Sequence, residues 1–351
     1  MSKDSQPDDT PAAQEPPPLC SVCIANYNGI GIIDAAIASV RAQDCGFTVE
    51  IIVHDDASTD GSAAHIRERH PDVQLIESTG NVGFCTSNNR MAHAARGSFL
   101  LLLNNDAELF PDALRILHEA ARRTDVPAML TLPQYDAETG VLIDIGCRFD
   151  PFLNPIPRLC VSDGEPAMIS GACMWVPRAL WFELGGFPDW FESLAEDSFL
   201  STVARLYGYR IEALGSSGFR HWVGKSLGGG KVTAQRLSTT ASRRAKSERN
   251  KNYVIALTYP APMLAMILPL HALLLLCEGA VLALIKRDPK LFGAIYLASL
   301  TALWARRRQL RQERRAIQLR RRIGIRQFCA AFDKMPYKLS LLLRFGLPEI
   351  R

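Results

Sequence analysis

No Gly-x-Gly-x-x-Gly turn follows the first apolar run of this chain, so a Rossmann-type dehydrogenase or methyltransferase lacks support. The opening stretch, MSKDSQPDDTPAAQEPPPL, has no apolar core behind a basic end. A secretory signal is therefore not expected there, and its Pro, Asp and Gln content predicts a disordered leader over residues 1–18. Nine cysteines, an odd number and scattered, argue against a disulfide framework or a zinc site and suit a reducing cytoplasm. Charge is modest at 22% against 48% hydrophobic residues, which excludes a disordered chain. Its distribution is uneven. Ten Arg and one Glu between Ala305 and Arg326 make a local +9, so the overall +4 hides a body of −5. With 351 residues there is room for one large α/β domain and an appendage.

What is present begins with Ser98 to Leu109, SFLLLLNNDAEL. Phe99 to Leu103 reads as a strand buried on both faces. It stops at Asn104-Asn105-Asp106, and an amphipathic helix opens at Pro111. Three similar units precede it. CSVCIAN leads to a helix carrying Ile33, Ile37 and Val40, Val49 to Val53 to a helix ending near His70, and Val73 to Glu77 to a helix through Asn89. Four strand-helix units in succession predict a parallel, doubly wound sheet with polar residues at the strand exits, where a nucleotide lies. Further on, Met129 to Leu132 and Ile169 to Val176 read as strands, and the proline-broken stretch 134–160 as hairpins and loops. Helices are expected from Pro177 to Gly185 and from Glu196 to Tyr207, then a strand from Tyr209 to Leu214.

Four places carry chemistry. Asp55-Asp56, followed by Ser58, Thr59 and Asp60, suits hydrogen bonds from a base imide or a ribose hydroxyl, and equally a helix cap. Asn104-x-Asp106 has the shape of a D-x-D metal motif with one carboxylate replaced by an amide. Mg²⁺ or Mn²⁺ needs few protein oxygens when a diphosphate supplies the rest. Glu196-Asp197, in the first turn of a helix, serves either the helix dipole or general-base catalysis. His221, flanked by Phe219 and Trp222, is either a packed core histidine or a further metal ligand.

In order, SVCIANYNG, VEIIVHDDASTDGS, GNVGFCTSNN, GSFLLLLNNDAEL, ISGACMWVPRALWFELGGF, AEDSFLSTVARLYGYRIEAL and FRHWVGKS resemble glycosyltransferase family 2. Within it they are most similar to rhamnosyltransferase-like bacterial enzymes of surface polysaccharide synthesis. The resemblance implies an α/β fold of GT-A type, a mostly parallel Rossmann-like sheet flanked by helices, over 19–230. It also implies transfer with inversion from a nucleotide-diphosphate sugar, dTDP-rhamnose or a UDP-sugar. Ala25, Tyr27 and Asp56 would contact the base, with Asn28, Asp55, Gly83, Asn89, Asn104 and Asn105 completing the donor site. Asp106 and His221 would hold a divalent cation, Mg²⁺ or Mn²⁺. Gly171, Ala172, Trp175 and Glu196 would line the acceptor pocket, and Asp197 would be the catalytic base. Two residues depart from the family: Asn104 itself, and His54, where an apolar residue is more usual. A single base opposite the leaving group fits inversion; retention would need a second, nucleophilic carboxylate. The rival reading is a non-catalytic nucleotide-sugar-binding assembly protein at the membrane.

Residues 231–253 are expected to be a loop and linker helix, with Arg249-Asn250 again resembling the family. Residues 254–351 are expected to form an apolar, Arg-rich helical extension that associates with a membrane. Val254 to Ile285 is long enough to span a bilayer, but Glu278 and prolines 260, 262 and 269 favour helices packed on the protein or lying in the interface. The adjoining arginines suit an anionic membrane surface; a solvated helix or RNA binding are the other uses, and no nucleic acid partner is expected. A lipid-linked glycan acceptor on the cytoplasmic face of the bacterial inner membrane follows as the expected setting.

Overall fold

Phe99–Asn104 forms β4, the central strand of a seven-stranded sheet. Its leucines alternate between two cores. Leu101 and Leu103 join Ile24, Ile37 and Leu117 on one face, and Leu100 and Leu102 join Met91, Met174 and Trp181 on the other. Both faces are therefore dry, which is why the strand reads as an unbroken apolar run. The computed structural model describes residues 16–123, 125–222, 232–233, 236–345 and 349–350. The expected leader up to residue 15, and the boundary expected near residue 230, lie outside them.

β1 (Cys20–Asn26), β2 (Val49–Asp55) and β3 (Gln74–Glu77) continue the sheet in parallel from β4, giving the order β3-β2-β1-β4. Their crossovers are α1 (Ile33–Arg41), α2 (Ser62–Arg69) and α3 (Phe84–Ala94). On the other side of β4 the pattern changes. After β5 (Ala107–Leu109), α4 (Ala113–Ala121) and β6 (Ala128–Thr131), the chain makes short strands, β7 (Gln134–Asp136), β8 (Leu142–Asp144), β9 (Cys147–Phe149) and β10 (Pro155–Pro157). It then returns as β11 (Cys173–Pro177), which slots antiparallel between β4 and β6. The sheet is thus mostly parallel with one reversed strand, because that irregular excursion brings the chain back from the opposite end. α5 (Arg178–Leu184) and α6 (Glu196–Leu206) follow, and β12 (Arg210–Ala213) closes the edge parallel to β6. A smaller sheet, β5-β13-β7-β8, forms where β13 (Phe219–His221) lies between β5 and β7.

Cys20 and Cys23 have the spacing of a redox or metal pair, but three residues apart on a strand they face opposite cores, Cys20 with Leu101 and Cys23 with Leu102. Both thiols are buried and free. His54, on β2, is a neutral core residue: burial pushes its imidazole below the usual value, and Ser78 meets Nε2 at 3.2 Å.

Where a loop and linker helix were expected, Ala241–Thr258 is an 18-residue helix, α7, buried from residue 250 onward. Tyr253, Val254, Ile255 and Leu257 share one core with Leu200 and Val203 of α6, so α7 is packed into the body rather than strung from it. Pro260 and Pro262 end α7 and start α8 (Ala261–Lys286), which carries Pro269 inside it. Glu278 of α8 is turned inward, paired with Arg244 of α7 and with Lys338 at 3.0 Å. The Arg307–Leu319 helix buries Leu310 and Ile317, and its Arg314 donates to the carbonyl of Ala256 at 2.9 Å. Several of the clustered arginines are therefore structural. Arg306 covers the ring of Trp190 and Arg320 that of Tyr207.

Because β4 is packed on both faces, Leu102→Ala is expected to cost about 2–5 kcal/mol of stability. The urea midpoint is the measurement, and an unshifted midpoint would contradict the packing described.

Candidate active site

The exits of β1 and β2 are clasped together. Asp55 accepts from Asn26 Nδ2 at 2.9 Å and from the Ser58 amide and hydroxyl at 2.9 and 2.8 Å. Asn28, in the left-handed region, accepts from the Thr59 amide at 2.8 Å, and its own amide donates to Ser58 Oγ at 2.9 Å. Asn105 donates to Asn26 Oδ1 at 2.9 Å, bringing the β4 exit into the same clasp. Asp55, Asn28 and Asn105 thus shape the rim, while Tyr27 presents a ring that is 48% exposed. Ala25 pairs in register with both His54 and Asn104, at the floor of this rim.

Asp56 links this rim to the other half of the site. Its carboxylate accepts from the amides of Val82 and Gly83 at 2.6 and 2.8 Å. A Cβ on Gly83, whose φ is +89°, would stand 2.9 Å from the carbonyl oxygen of Glu192, so only glycine allows that approach. Cys85 then donates to the same carbonyl at 3.0 Å. The Glu192 loop leads into α6, and three of its residues, Glu192, Leu194 and Ala195, hold positive φ without being glycine. Strain of this kind costs of order 1 kcal/mol per residue and needs support from outside. Asn250 of α7 supplies it, donating to the carbonyls of Phe191, Ser193 and Leu194 at 2.9, 2.8 and 2.8 Å. Arg249 adds a bond to the Phe191 carbonyl and pairs with Glu192.

At the start of α6 stand Glu196 and Asp197. Glu196 is buried and its Oε2 has no hydrogen-bond partner among the described residues. Desolvation, then the charge of Asp197, pushes its carboxyl up to about 8. Asp197 is raised by desolvation but held back by hydrogen bonds from the amides of Ser198, at 2.6 Å, and Gly171. The two acids are driven apart, Glu196 keeping its proton and Asp197 ionising first. Arg243 of α7, itself desolvated, lies within the field of both.

Gly171 is the hinge of the arrangement. Its amide reaches Asp197, while the next carbonyl, of Ala172, accepts from the Asn104 amide at 3.1 Å. The Asn104 side chain lies 3.3 Å from His221 Nε2, and that nitrogen is 3.1 Å from Asp106 Oδ1. The small sheet sets this contact, pairing His221 with Ala107, next to Asp106. Gln134 Nε2 meets His221 Nδ1 at 3.1 Å, and the buried Asn104 Oδ1 has no partner among the described residues. Asp144, raised to about 6 by burial, senses both His221 and Asp197. Asp56, Asp106 and Asp197 thus connect through one continuous set of contacts.

Two residues leave the expected set. Trp175 is fully buried at the centre of the sheet and stacks on Phe99 at 4.9 Å, because β11 runs between two other strands; no surface remains for an acceptor. Asn89 spends its amide on Phe187, accepting from its N–H at 3.1 Å and donating to its carbonyl at 2.7 Å, and on Asp189 at 2.8 Å. Sequence reasoning missed Gln134, Asp144 and Arg243, which fall in segments without pattern. The Arg249-Asn250 pair was the one available pointer to the support from α7. A separate group, Asp34, His65 and His70, is compact enough for a cation, but Arg41 Nη1 lies 2.9 Å from His70 Nδ1, which keeps the ring proton on Nε2 facing Asp34.

Residues 21–174 match the model of glycosyl transferase family 2, and residues 99–305, more than half the chain, that of glycosyl transferase family group 2. The chain belongs to glycosyltransferase family 2. The chain is 37% identical over 112 residues to the succinoglycan biosynthesis protein ExoO of Rhizobium meliloti, covering 32% of each chain. It is 26% identical over 179 residues to an N-acetylglucosaminyl-diphospho-decaprenol L-rhamnosyltransferase of Mycobacterium tuberculosis, covering 42% of this chain and 58% of that one. It covers less than two thirds of the length of each of these relatives. Among solved structures it resembles the mannosyltransferase PcManGT of Pyrobaculum calidifontis, in complex with GDP-Man and Mn²⁺ (TM-score 0.51, 20% identity, 86% of this chain and 91% of that one). S. aureus TarS 1–349 in complex with UDP-GlcNAc is similar (0.52, 16%, 86% and 90%). At these identities the likeness shows the GT-A fold.

The buried acid gives a pH prediction. Glu196 has an unfolded-state value near 4.5 and a folded value near 8, so between them the unfolded chain binds fewer protons and stability falls as pH rises. Glu196→Gln removes that penalty. It is expected to raise stability by roughly 1–3 kcal/mol at pH 8 and by little at pH 4. Denaturant unfolding at the two pH values decides it, and an equal effect at both would contradict a neutral Glu196.

Proposed function

We propose that the transferase moves a sugar from a nucleotide-diphosphate donor, dTDP-rhamnose or a UDP-sugar, to a hydroxyl of a lipid-linked or polysaccharide acceptor in cell-surface glycan synthesis, with inversion. One observation carries this reading. An ionisable Asp197, beside a proton-holding Glu196, is joined through Gly171 and Ala172 to the Asn104–Asp106 exit of β4. Asp197 takes the proton of the acceptor hydroxyl as its oxygen attacks the anomeric carbon. The bond from that carbon to the diphosphate breaks on the opposite face, and one displacement inverts the centre. Tyr27 offers its exposed ring to the base, and the Asp56 clasp holds the loop beside it.

Asn104, Asp106 and His221 offer two oxygens and a nitrogen, a set that suits Mg²⁺ or Mn²⁺, and the orphaned Asn104 Oδ1 is the observation that fits a missing ligand. A cation there supplies neutralisation of the charge gathering on the leaving diphosphate. The mannosyltransferase with GDP-Man and Mn²⁺ supports this donor chemistry, and the mycobacterial rhamnosyltransferase supports a polyprenyl-linked acceptor.

The same reading puts the enzyme on the cytoplasmic face of the bacterial inner membrane. Among the described residues α8 is long and apolar enough to cross a bilayer. It presents Leu270, Leu273, Leu274, Val281, Leu284 and Ile285 outward, and further along the chain Arg308, Arg311 and Arg315 are exposed. Inward pairing of Glu278 with α7 favours a helix lying along the interface over one that spans.

Asp197→Asn is expected to lower kcat by about 10²–10⁴-fold while nucleotide affinity stays within about twofold. Turnover at the native rate would remove Asp197 from its role. For the cation, excess chelator is expected to abolish transfer, and His221→Ala to raise the metal concentration needed for half-maximal rate. Full activity in chelator would show that no ion is essential.

A further inference from the structure

Asp144 ends β8 in the small sheet and pairs in register with Gln134 of β7. Register partners lie on one face of a sheet. Gln134 Nε2 meets His221 Nδ1 at 3.1 Å, so the face that carries Asp144 is also the face of His221. After Asp144 the chain turns through Gly146, at φ +69°, into β9, where the Cys147 amide donates to the Met168 carbonyl at 3.0 Å. Met168 Sδ in turn accepts from the hydroxyl of Ser198, the residue after Asp197, at 3.2 Å. The β8–β9 hairpin thus reaches from the His221 side of the site to the first turn of α6. The charges of both His221 and Asp197 act on the Asp144 carboxyl.

One oxygen of that carboxyl is engaged, Oδ1 accepting from the Gly146 amide at 2.9 Å. Oδ2 has no hydrogen-bond partner, and the group forms no ion pair, among the described residues. Asp144 nonetheless keeps partial contact with solvent, as a residue in the wall of a cleft does. Arg158, whose charge also acts on it, spends Nη1 and Nη2 on the carbonyls of Ile145 and Val161 at 2.6 and 2.9 Å. Nor is Asp144 placed to share the candidate cation. His221 turns Nε2 to Asp106 and Nδ1 to Gln134, and β7 separates β8 from β13 by two strand spacings, roughly 10 Å. What remains is a desolvated carboxylate oxygen free to accept a hydrogen bond.

In the transferase reading, on which this inference rests, the transferred ring lies between the leaving diphosphate at the β4 exit and the base Asp197. Such a ring offers hydroxyl groups, and a charged acceptor binds a hydroxyl about twice as strongly as a neutral one. We propose that Asp144 accepts a hydrogen bond from a ring hydroxyl of the transferred sugar and is a specificity-determining residue of the donor site. A donor without that hydroxyl leaves the carboxylate desolvated and unpaired, which is the basis of discrimination.

Calorimetry on the full chain with Mg²⁺ tests this, using dTDP-rhamnose, UDP-glucose and UDP-GlcNAc, each against its own nucleoside diphosphate. Asp144→Asn keeps an oxygen for the Gly146 amide but removes the charge. It is expected to weaken the nucleotide sugar that the native chain binds by about tenfold or more, while dTDP or UDP affinity stays within about twofold. Retained nucleotide affinity shows at once that the variant has folded. Unchanged affinity for the nucleotide sugar overturns the assignment of Asp144 and leaves the transferase reading standing. A loss shared equally by the nucleoside diphosphate marks a structural role and overturns it too, as does an effect confined to the KM for the acceptor. Should the variant fail to fold, Asp144→Ser, which also offers an oxygen to Gly146, takes its place under the same criteria. A native chain that binds none of the three nucleotide sugars sinks the transferase reading for these donors, and the inference with it.

Discussion

Two backbone groups of Gly171 and Ala172 hold the site together. The Gly171 amide binds the Asp197 carboxylate, and the Ala172 carbonyl takes the Asn104 amide. A carboxylate brought out of water ionises readily only if hydrogen bonds replace the solvent it loses. The Gly171 and Ser198 amides do so for Asp197, while desolvation and then the charge of Asp197 push Glu196 up to about 8. The same dipeptide fixes how far the acid lies from the β4 exit. The position of Asp197 and that of the β4 exit are thereby set by one short stretch of main chain.

A second constraint is strain. The chain enters α6 through residues in the left-handed region, an arrangement a free loop would relax. Three carbonyls of that loop converge on the single amide of Asn250, which comes from a helix more than fifty residues later. α7 is therefore part of the body that carries the candidate site, and it shares one core with α6. α8, with its exposed apolar side, is tied to α7 by the Arg244–Glu278 pair.

Apolar runs ending in Asn, Asp and Gly marked each strand exit in the sequence, because strands buried on both faces admit nothing else. Asp55, Asp56, Asn104, Asp106 and Glu196-Asp197 stood out for the same reason: polar groups placed just beyond a dry core. Trp175 misled because a motif position does not tell which face of a strand it occupies. Asn89 misled because its amide is satisfied by a loop almost a hundred residues away. Gln134, Asp144 and Arg243 belong to segments whose conformation is set by what they pack against, and no local period announces them.

By itself, then, the sequence determined the order of strands and helices, the dry centre of the sheet and the polar residues at its rim, since hydrophobic period and turn chemistry are local properties. Tertiary structure alone decided that β11 runs backwards through the sheet, that burial raises both Glu196 and Asp197, and that α7 braces the loop before α6. Each of these depends on groups far apart in the chain sharing one low-dielectric space. Desolvation and non-local hydrogen bonding are properties of that space, which no stretch of residues possesses before the chain has folded.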